Sequence, residues 1–446
     1  MKKNIFLILV FCLFFLATGC QNRQRIVVLG EANSTLNSIT DIKSEFIEKT
    51  GIDVVTLGFQ FEESMEKANF DFANRTGRYD IVMQYNFSLS PFVRNRHVVD
   101  IQPFVNAHPN QEEMAELERS FFQNAWREVG FYFKDPSRQD DQYVKVGFPF
   151  ASNTLIMVYN RSMFENRDNQ IAFKERYGYE LQPPTEWAQV HDVAEFFTNR
   201  EKNTFGVSLQ GAASWLYFEW ALFAFGMGGG VMEKERGWQG NLDTPLLLAS
   251  ENTIKATELY LSLRPFNRGD FFNVDPTIQL NNIREGNVAF AFVWSDVLHT
   301  GFFDEATQTY DDRFGFTTIP GTKSPIAGGA FFINNDSRRI QESFDFIKWL
   351  LRKDNQIAMV KRGLSSPRRD VLASPEVQHI PFVGAIKESL DRGVYMFEAG
   401  PDAVVISSII TNWVQRAWRG EVTAREAMVN ASNEVKVARE NIFGNI

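Results

Sequence analysis

Apolar and polar positions alternate along the chain in segments that favour strands and helices in turn. Residues 25–30 form a short apolar run that ends at Gly30, which predicts a buried strand. Apolar residues then recur at helical spacing from Leu36 to Ile47, and Gly51 is placed to end that helix. A second apolar run covers residues 52–59. This strand–helix–strand unit predicts two parallel strands with a right-handed crossover.

The same alternation continues to about residue 439. Further strands are predicted at 81–83, 144–149, 155–159, 205–209, 287–294, 313–319 and 330–334. Helices are predicted at 62–74, 112–129, 215–225, 253–263, 277–284, 338–351 and 355–362, with more helices up to the end. The polar residues 151–153 suggest a break between two strands. Strands alternating with helices predict an α/β fold with mainly parallel sheets.

The first twenty residues have the pattern of an export signal. Lys2 and Lys3 give a basic start, residues 5–16 are apolar, and small residues precede Cys20. The apolar run is shorter than the roughly 20 residues that cross a bilayer. Small residues followed by cysteine resemble a bacterial lipobox, in which Cys20 is acylated and anchors an extracytoplasmic domain to a membrane. The alternative is an ordinary signal peptide with a chance cysteine.

Composition narrows the class of protein. The 446 residues are long enough for two domains, and the net charge of -9 argues against a nucleic-acid partner. The two cysteines, Cys12 and Cys20, both fall in the signal segment, so no disulfide is expected after export. The five histidines are not paired with other ligands at zinc spacing, so no metal site is expected, nor any cofactor.

Several local motifs occur in the order that one known family shows. They are residues 46–52, 79–82, 147–153 continuing to 160, 184–187, 284–290 with Trp294, 319–321, 328–329 and 363–370. In this order, behind a lipobox, they resemble the family 1 extracellular solute-binding proteins of ABC importers, which include the maltose-binding type.

The resemblance implies two α/β lobes joined by hinge strands, with the ligand between them. It places the first lobe at 25–150 with 312–334, and the second at 154–310 with 338–446. It further implies a monomer that captures a carbohydrate, closes around it and delivers it to the transmembrane subunits of an ABC permease, without catalysis.

Candidate ligand-binding residues follow from strand ends and from the resemblance. Loops at the carboxyl ends of parallel strands hold ligands in α/β sheets. Aromatic planes suit the apolar faces of sugar rings, and polar groups suit the hydroxyls. Gly328 and Gly329 fit either a tight turn or a close approach to ligand, and Arg368 fits either a turn or an anion clamp. The candidates are Glu31, Asn33, Ser34, Gln84, Asn153, Trp215, Trp294, Asp296, Gly328, Gly329 and Arg368.

Other functions stay open at this point. The same fold could carry a sugar derivative, a polyol phosphate or a polyamine, although a polyamine would require several carboxylates and only Glu31 and Asp296 are plausible. An extracellular glycosidase would need an acid pair such as Glu31 and Asp80. A surface adhesin or sensor is a further alternative. The glycines at 226–230 favour a helix end, because no Gly-Lys-Ser/Thr follows to form a phosphate loop.

Overall fold

The computed structural model describes residues 24–133, 143–233, 242–396 and 399–444. The predicted signal peptide and Cys20 lie outside the described residues. The strands are β1 Arg25–Glu31, β2 Asp53–Phe59, β3 Ile81–Tyr85, β4 Phe131–Phe133, β5 Tyr143–Lys145, β6 Gly147–Asn160, β7 Phe205–Ser208, β8 Val288–Trp294, β9 Phe303–Asp304, β10 Thr309–Tyr310, β11 Phe314–Thr317, β12 Ser324–Ile333 and β13 Gly393–Tyr395.

The helices surround these strands. They are α1 Ser34–Thr50, α2 Phe61–Asn74, α3 Leu89–Arg94, α4 Gln102–Ala107, α5 Gln111–Ser120, α6 Ala125–Gly130, α7 Arg161–Phe164, α8 Arg167–Tyr177, α9 Trp187–Phe197, α10 Ala213–Gly226, α11 Glu251–Ser262, α12 Pro276–Arg284, α13 Leu298–Phe302, α14 Ile340–Leu350, α15 Lys353–Val360, α16 Arg369–Leu372, α17 Val383–Asp391, α18 Ala403–Arg419 and α19 Ala424–Gly444. Short 3₁₀ turns include Asn86–Ser88 and Ser295–Val297.

The main sheet has nine strands in the order β2-β1-β3-β12-β6-β8-β7, with β11 paired to β6 and β13 to β12. The predicted parallel pairing of the first two strands is confirmed. The expectation of mainly parallel strands is wrong at the centre of the sheet, where β12 runs antiparallel to β3 and to β6, and β6 antiparallel to β8. The alternation of strands and helices indicates which elements follow each other in the chain. It does not indicate whether the long strands β6 and β12 run parallel or antiparallel to their neighbours.

The predicted polar break at 151–153 is also wrong, because β6 is one continuous strand of 14 residues. Ser152 pairs with Gly328, and Asn153 pairs with Ala327. Both polar residues are only 1% exposed. Strand pairing between the backbones of β6 and β12 therefore continues through polar residues of a type that is common in loops.

The predicted helix at 112–129 consists of two helices, α5 and α6. Phe121 forms a bridge with Arg368 between them. Asn124, directly before α6, has a left-handed backbone with φ of 62°. Asparagine tolerates that conformation better than most residues, so the chain turns here.

Two hydrophobic clusters form the core. The first contains apolar side chains of β1, β3, β12 and of α14–α17, and the second contains those of α9, α10, α11, α18 and α19. Successive residues of β6 alternate between them, with Ile156 and Val158 in the first and Leu155 and Met157 in the second. Side chains of a strand point alternately to opposite faces, so β6 serves both clusters. The helices between 340 and 391 thus pack with the N-terminal segment, although the resemblance assigns 338–446 to the second lobe.

Candidate functional site

The ends of several sheet strands meet at a cavity of about 470 Å³. Glu31 ends β1, Tyr85 ends β3 and Trp294 ends β8, while Asn153 lies within β6. Small-molecule sites range over about 300–1,000 Å³, so the volume is that of a ligand site. The cavity is lined by Glu31, Ala32, Asn33, Ser34, Asn37, Gln60, Phe61, Glu62, Tyr85, Phe87, Asn153, Ala212, Ser214, Trp215, Phe218, Asp275, Pro276, Thr277, Trp294, Asp296, Val297, Thr300 and Ala327.

A hydrogen-bond network joins two carboxyl groups at the inner wall. The Tyr85 hydroxyl donates to Oε2 of Glu31 over 2.9 Å. Nδ2 of Asn33 lies 3.3 Å from Oε2 of Glu31 and 3.2 Å from Oδ2 of Asp296. Nδ2 of Asn153 donates to the same Asp296 oxygen over 3.0 Å. Asn33 also caps α1, since its side-chain oxygen accepts from the backbone N–H of Thr35 and Leu36. The helix cap therefore fixes the amide that bridges the two acids.

Burial shifts the titration of both acids. It raises the pKa of Glu31 to about 8, and the negative charge of Asp296 adds to that rise. It raises the pKa of Asp296 to about 6, against the hydrogen bonds from Asn33 and Asn153 that favour the ionised form. Near neutral pH the two carboxyl groups therefore share about one proton, and the pair holds about one negative charge.

Aromatic rings form a connected wall along the cavity. Phe61, the first residue of α2, lies 5.6 Å from Trp215 between ring centroids. Trp215 lies 5.6 Å from Phe218, which in turn lies 5.6 Å from Trp294. On the other side, Phe61 lies 5.7 Å from Tyr85. The wall therefore joins residues of α2 and β3 to residues of α10 and β8.

Several polar atoms at the cavity are buried and make no hydrogen bond within the part of the chain that the structure describes. They are Oγ of Ser34, Oδ1 of Asn153 and Nε1 of Trp294. A buried polar group without a partner costs about 1–3 kcal/mol. A bound solute with hydroxyl or amino groups can supply the missing partners.

The structure brings most of the sequence-based candidates together. Those that line the cavity are Glu31, Asn33, Ser34, Asn153, Trp215, Trp294 and Asp296. The glycine pair lies elsewhere, because a Cβ at Gly328 would overlap Tyr395 and one at Gly329 would overlap Phe150. These glycines make room for packed rings rather than for a ligand.

Gln84 and Arg368 also lie away from the cavity. The Gln84 amide donates to the Ser64 hydroxyl over 3.2 Å. Arg368 donates to the Leu351 carbonyl over 2.7 Å and pairs with Asp370. Asp80, considered as an acid partner of Glu31, accepts from the Val27 amide and the Ser337 hydroxyl and does not line the cavity. These side chains stabilise the fold locally.

Sequence reasoning missed several lining residues. Tyr85 is the neighbour of Gln84, and neighbours on a strand point to opposite faces, so the choice of Gln84 was a register error of one residue. Phe61 and Phe218 looked like ordinary helix positions. Asp275 follows no strand, and its place at the cavity depends on α12, whose N-terminus it caps through the Ile278 amide.

Within the described ranges, no group of three or more His, Cys, Asp or Glu side chains is arranged to hold a metal ion. The same ranges contain no helix long and apolar enough to cross a membrane.

An α/β fold with a cavity of aromatic rings and unpaired polar atoms at its strand ends defines a protein that binds small solutes. The sequence matches the model of the bacterial extracellular solute-binding proteins over residues 41–383, and the chain belongs to this family. A comparison with curated sequences finds no match.

Solved structures share the two-lobed fold at low sequence identity. A solute-binding protein of an ABC transporter from Agrobacterium radiobacter K84, in complex with ribitol, is 19% identical with a TM-score of 0.72, over 93% of this chain and 98% of that one. A second, from Thermotoga lettingae TMO with bound α-D-tagatose, is 18% identical with a TM-score of 0.74, over 93% and 100% of the chains. A maltose-bound protein of T. maritima is 15% identical with a TM-score of 0.70, over 93% and 99%.

Proposed function

We propose that this protein captures a carbohydrate outside the cytoplasm and delivers it to the permease of an ABC transporter. The observation that carries the proposal is the aromatic wall from Phe61 to Trp294 facing hydrogen-bonding groups in one cavity. A sugar or polyol presents apolar C–H faces and many hydroxyls, which match those two kinds of surface.

The related structures support this choice. Their ligands, ribitol, tagatose and maltose, are all sugars or polyols. We propose that the two lobes follow the two hydrophobic clusters, so that α14–α17 move with the N-terminal segment. The long strands β6 and β12 then form part of the hinge, and opening of the lobes separates Trp215 from Phe61, which are in contact in this structure.

A thermal-shift screen tests the proposal. The purified domain is melted with a panel of sugars and polyols, and with amino acids and short peptides as the matched non-carbohydrate panel. A ligand at 100 times its Kd stabilises the folded state by about 2.7 kcal/mol, which is a readily measured shift. A rise in Tm with a carbohydrate is expected. A rise only with amino acids or peptides would contradict the proposal.

Binding without catalysis is part of the proposal, and the acid pair makes it testable. Glu31→Gln and Asp296→Asn are expected to change ligand affinity, while chromogenic glycosides remain uncleaved by the wild type and by both variants. The reason is that the chain belongs to a family of solute-binding proteins, and related structures are in complex with sugars or polyols. Cleavage by the wild type that either substitution abolishes would place the protein among the glycosidases.

Membrane anchoring through Cys20 is also a proposal. Acyl chains contribute about 0.8 kcal/mol per buried methylene, so lipidation gives stable anchoring. Cys20→Ser is expected to move the protein from the membrane fraction to the soluble fraction, as measured by fractionation and immunoblotting. Cys12→Ser, in the apolar part of the signal, is the matched control and should leave the distribution unchanged. The anchor is refuted if Cys20→Ser still sediments with membranes as the wild type does.

A further inference from the structure

The charged side chains at the cavity are all acidic. They are Glu31, Glu62, Asp275 and Asp296, and none of the described lining residues is lysine, arginine or histidine. Glu62 is exposed at the rim, and Asp275 is half-buried at the start of α12. Asp296 is 6% exposed and Glu31 is half-buried, so these two carboxyl groups form the inner part of the acidic wall.

The unpaired atoms at the inner wall include two oxygens that can accept hydrogen bonds. Ser34 and Asn153 are each only 1% exposed, and their side-chain oxygens find no partner among the described residues. Together with the carboxyl oxygens of Glu31 and Asp296, they make this wall rich in acceptors. An ammonium group has three donors and no acceptor, so it complements such a wall.

The aromatic wall also favours a bound cation, through cation–π interactions. Ring faces attract ammonium groups within about 6 Å of their centroids. Tyr85, Phe61 and Trp215 lie in a row from the carboxyl pair towards α10. A ligand cation held by Glu31 and Asp296 can therefore lie beside aromatic rings on the same wall. Nε1 of Trp294 has no hydrogen-bond partner among the described residues, and it can donate to a sugar hydroxyl.

We infer that the carbohydrate which this cavity takes carries an amino group and is bound as an ammonium ion, as an amino sugar is. This inference rests on the proposed function and narrows the class of ligand. A neutral sugar would leave the buried negative charge uncompensated, whereas an ammonium ion supplies the opposite charge.

Proton release gives the inference a distinctive signature. The titratable groups facing Glu31 are Asp296, Tyr85 and Glu62, and none of them brings a positive charge. Burial and Asp296 raise the pKa of Glu31 to about 8, so its carboxyl is mainly protonated below that pH. A bound ammonium ion favours the ionised form and lowers this pKa. Binding below about pH 8 therefore releases up to one proton, while a neutral sugar releases none.

The test uses calorimetric titration of the intact domain with matched ligands. D-Glucosamine is compared with D-glucose and N-acetyl-D-glucosamine, and D-galactosamine with D-galactose and its N-acetyl form. The acetylated sugars keep the nitrogen but lose the charge. Titrations at about pH 6.5 in two buffers of different ionisation enthalpy report the protons released. We expect at least one amino sugar to bind about 10- to 100-fold more tightly than its neutral partners, with proton release.

A pair of variants locates the effect. Glu31→Gln keeps the shape of the side chain and removes its charge, and we expect it to lower the affinity ratio of amino to neutral sugar by about tenfold. Glu66→Gln removes a charge from the exposed face of α2, does not line the cavity, and should leave that ratio unchanged. The comparison among wild-type titrations stands even if Glu31→Gln fails to fold.

Each outcome decides the inference. Tighter binding of an amino sugar with proton release supports it. Equal or tighter binding of the neutral partners, or amine binding without proton release, overturns it and leaves the carbohydrate proposal in place. If no amino sugar binds, the inference fails, and if amino acids or peptides bind while no sugar does, the proposed function fails as well.

Discussion

Replacing Trp215 by alanine is expected to weaken binding of the carbohydrate by roughly 30- to 1000-fold, or about 2–4 kcal/mol. The ring contacts Phe61 and Phe218, and thus links residues that line the cavity from two sides. Buried aromatic contacts dominate such sites, because each ring covers a large apolar area at a small cost in entropy. The side chain is half-buried in the first turn of α10, so Tm should stay close to that of the wild type.

Two other tryptophans serve as controls. Trp413 is also half-buried, donates to Glu434 and does not line the cavity, so Trp413→Ala should leave affinity unchanged. Trp294 is 5% exposed and belongs to the second hydrophobic cluster, so Trp294→Ala should lower both affinity and stability, by about 3–5 kcal/mol for the latter. Calorimetric titration and thermal melting separate the two effects. A lowered Tm with retained affinity in Trp215→Ala would show that Trp215 is a packing residue.

Replacing Arg439 by methionine is expected to destabilise the fold by about 3–5 kcal/mol. Nε of Arg439 lies 2.8 Å from Oδ2 of Asp402, with side chains only 3% and 0% exposed. The pair joins the end of α19 to the residue that precedes α18. Methionine fills much of the same space, but it removes the guanidinium group that contacts the buried carboxyl of Asp402.

Two further variants serve as controls for this prediction: one also removes the buried acid, and the other breaks an exposed ion pair. Adding Asp402→Leu to Arg439→Met should recover part of the lost stability, since it removes the buried acid that has lost its contact with Arg439. Arg425→Met breaks the exposed pair with Glu251 and should cost far less stability, because solvent screens that pair. Urea unfolding measures all of these free energies. The explanation fails if Arg439→Met costs no more than Arg425→Met.

The sequence pattern predicted the local elements well where periodicity is strong. The first strand, helix and second strand appear as β1, α1 and β2 within one or two residues. The helix ending at the glycine-rich segment is also confirmed, because α10 ends at Gly226. These elements depend on the spacing of apolar residues within about a dozen positions, and this spacing can be read from the segment itself.

Long-range pairing could not be predicted in the same way. The polar run inside β6 has partners on β12, about 175 positions later in the chain. Its buried amide and hydroxyl groups therefore look like a loop until the partner strand is known. The packing of α14–α17 in the first cluster likewise depends on tertiary contacts that amphipathic spacing does not specify.

The sequence predicted which strand ends contribute residues to the candidate site. It did not predict which side chains contact each other there. The end of β1 supplied Glu31 and the turn after β8 supplied Asp296, because strand ends on one edge of a sheet converge. The bridging role of Asn33 between those acids depends on its 3.2 Å contact with Asp296, a residue far away in the sequence. Tyr85 was missed because the register of a short strand is uncertain by one residue.

The central claim is that the cavity at the strand ends binds one carbohydrate per chain. The most direct measurement is a calorimetric titration, at several temperatures, of the sugar or polyol that most raises the Tm. We predict saturable binding with one ligand per chain, a negative heat-capacity change from burial of the aromatic wall, and loss of that signal in Trp215→Ala but not in Trp413→Ala. Saturable binding that persists unchanged in Trp215→Ala and Glu31→Gln, or the absence of saturable binding by any sugar or polyol, would contradict the account.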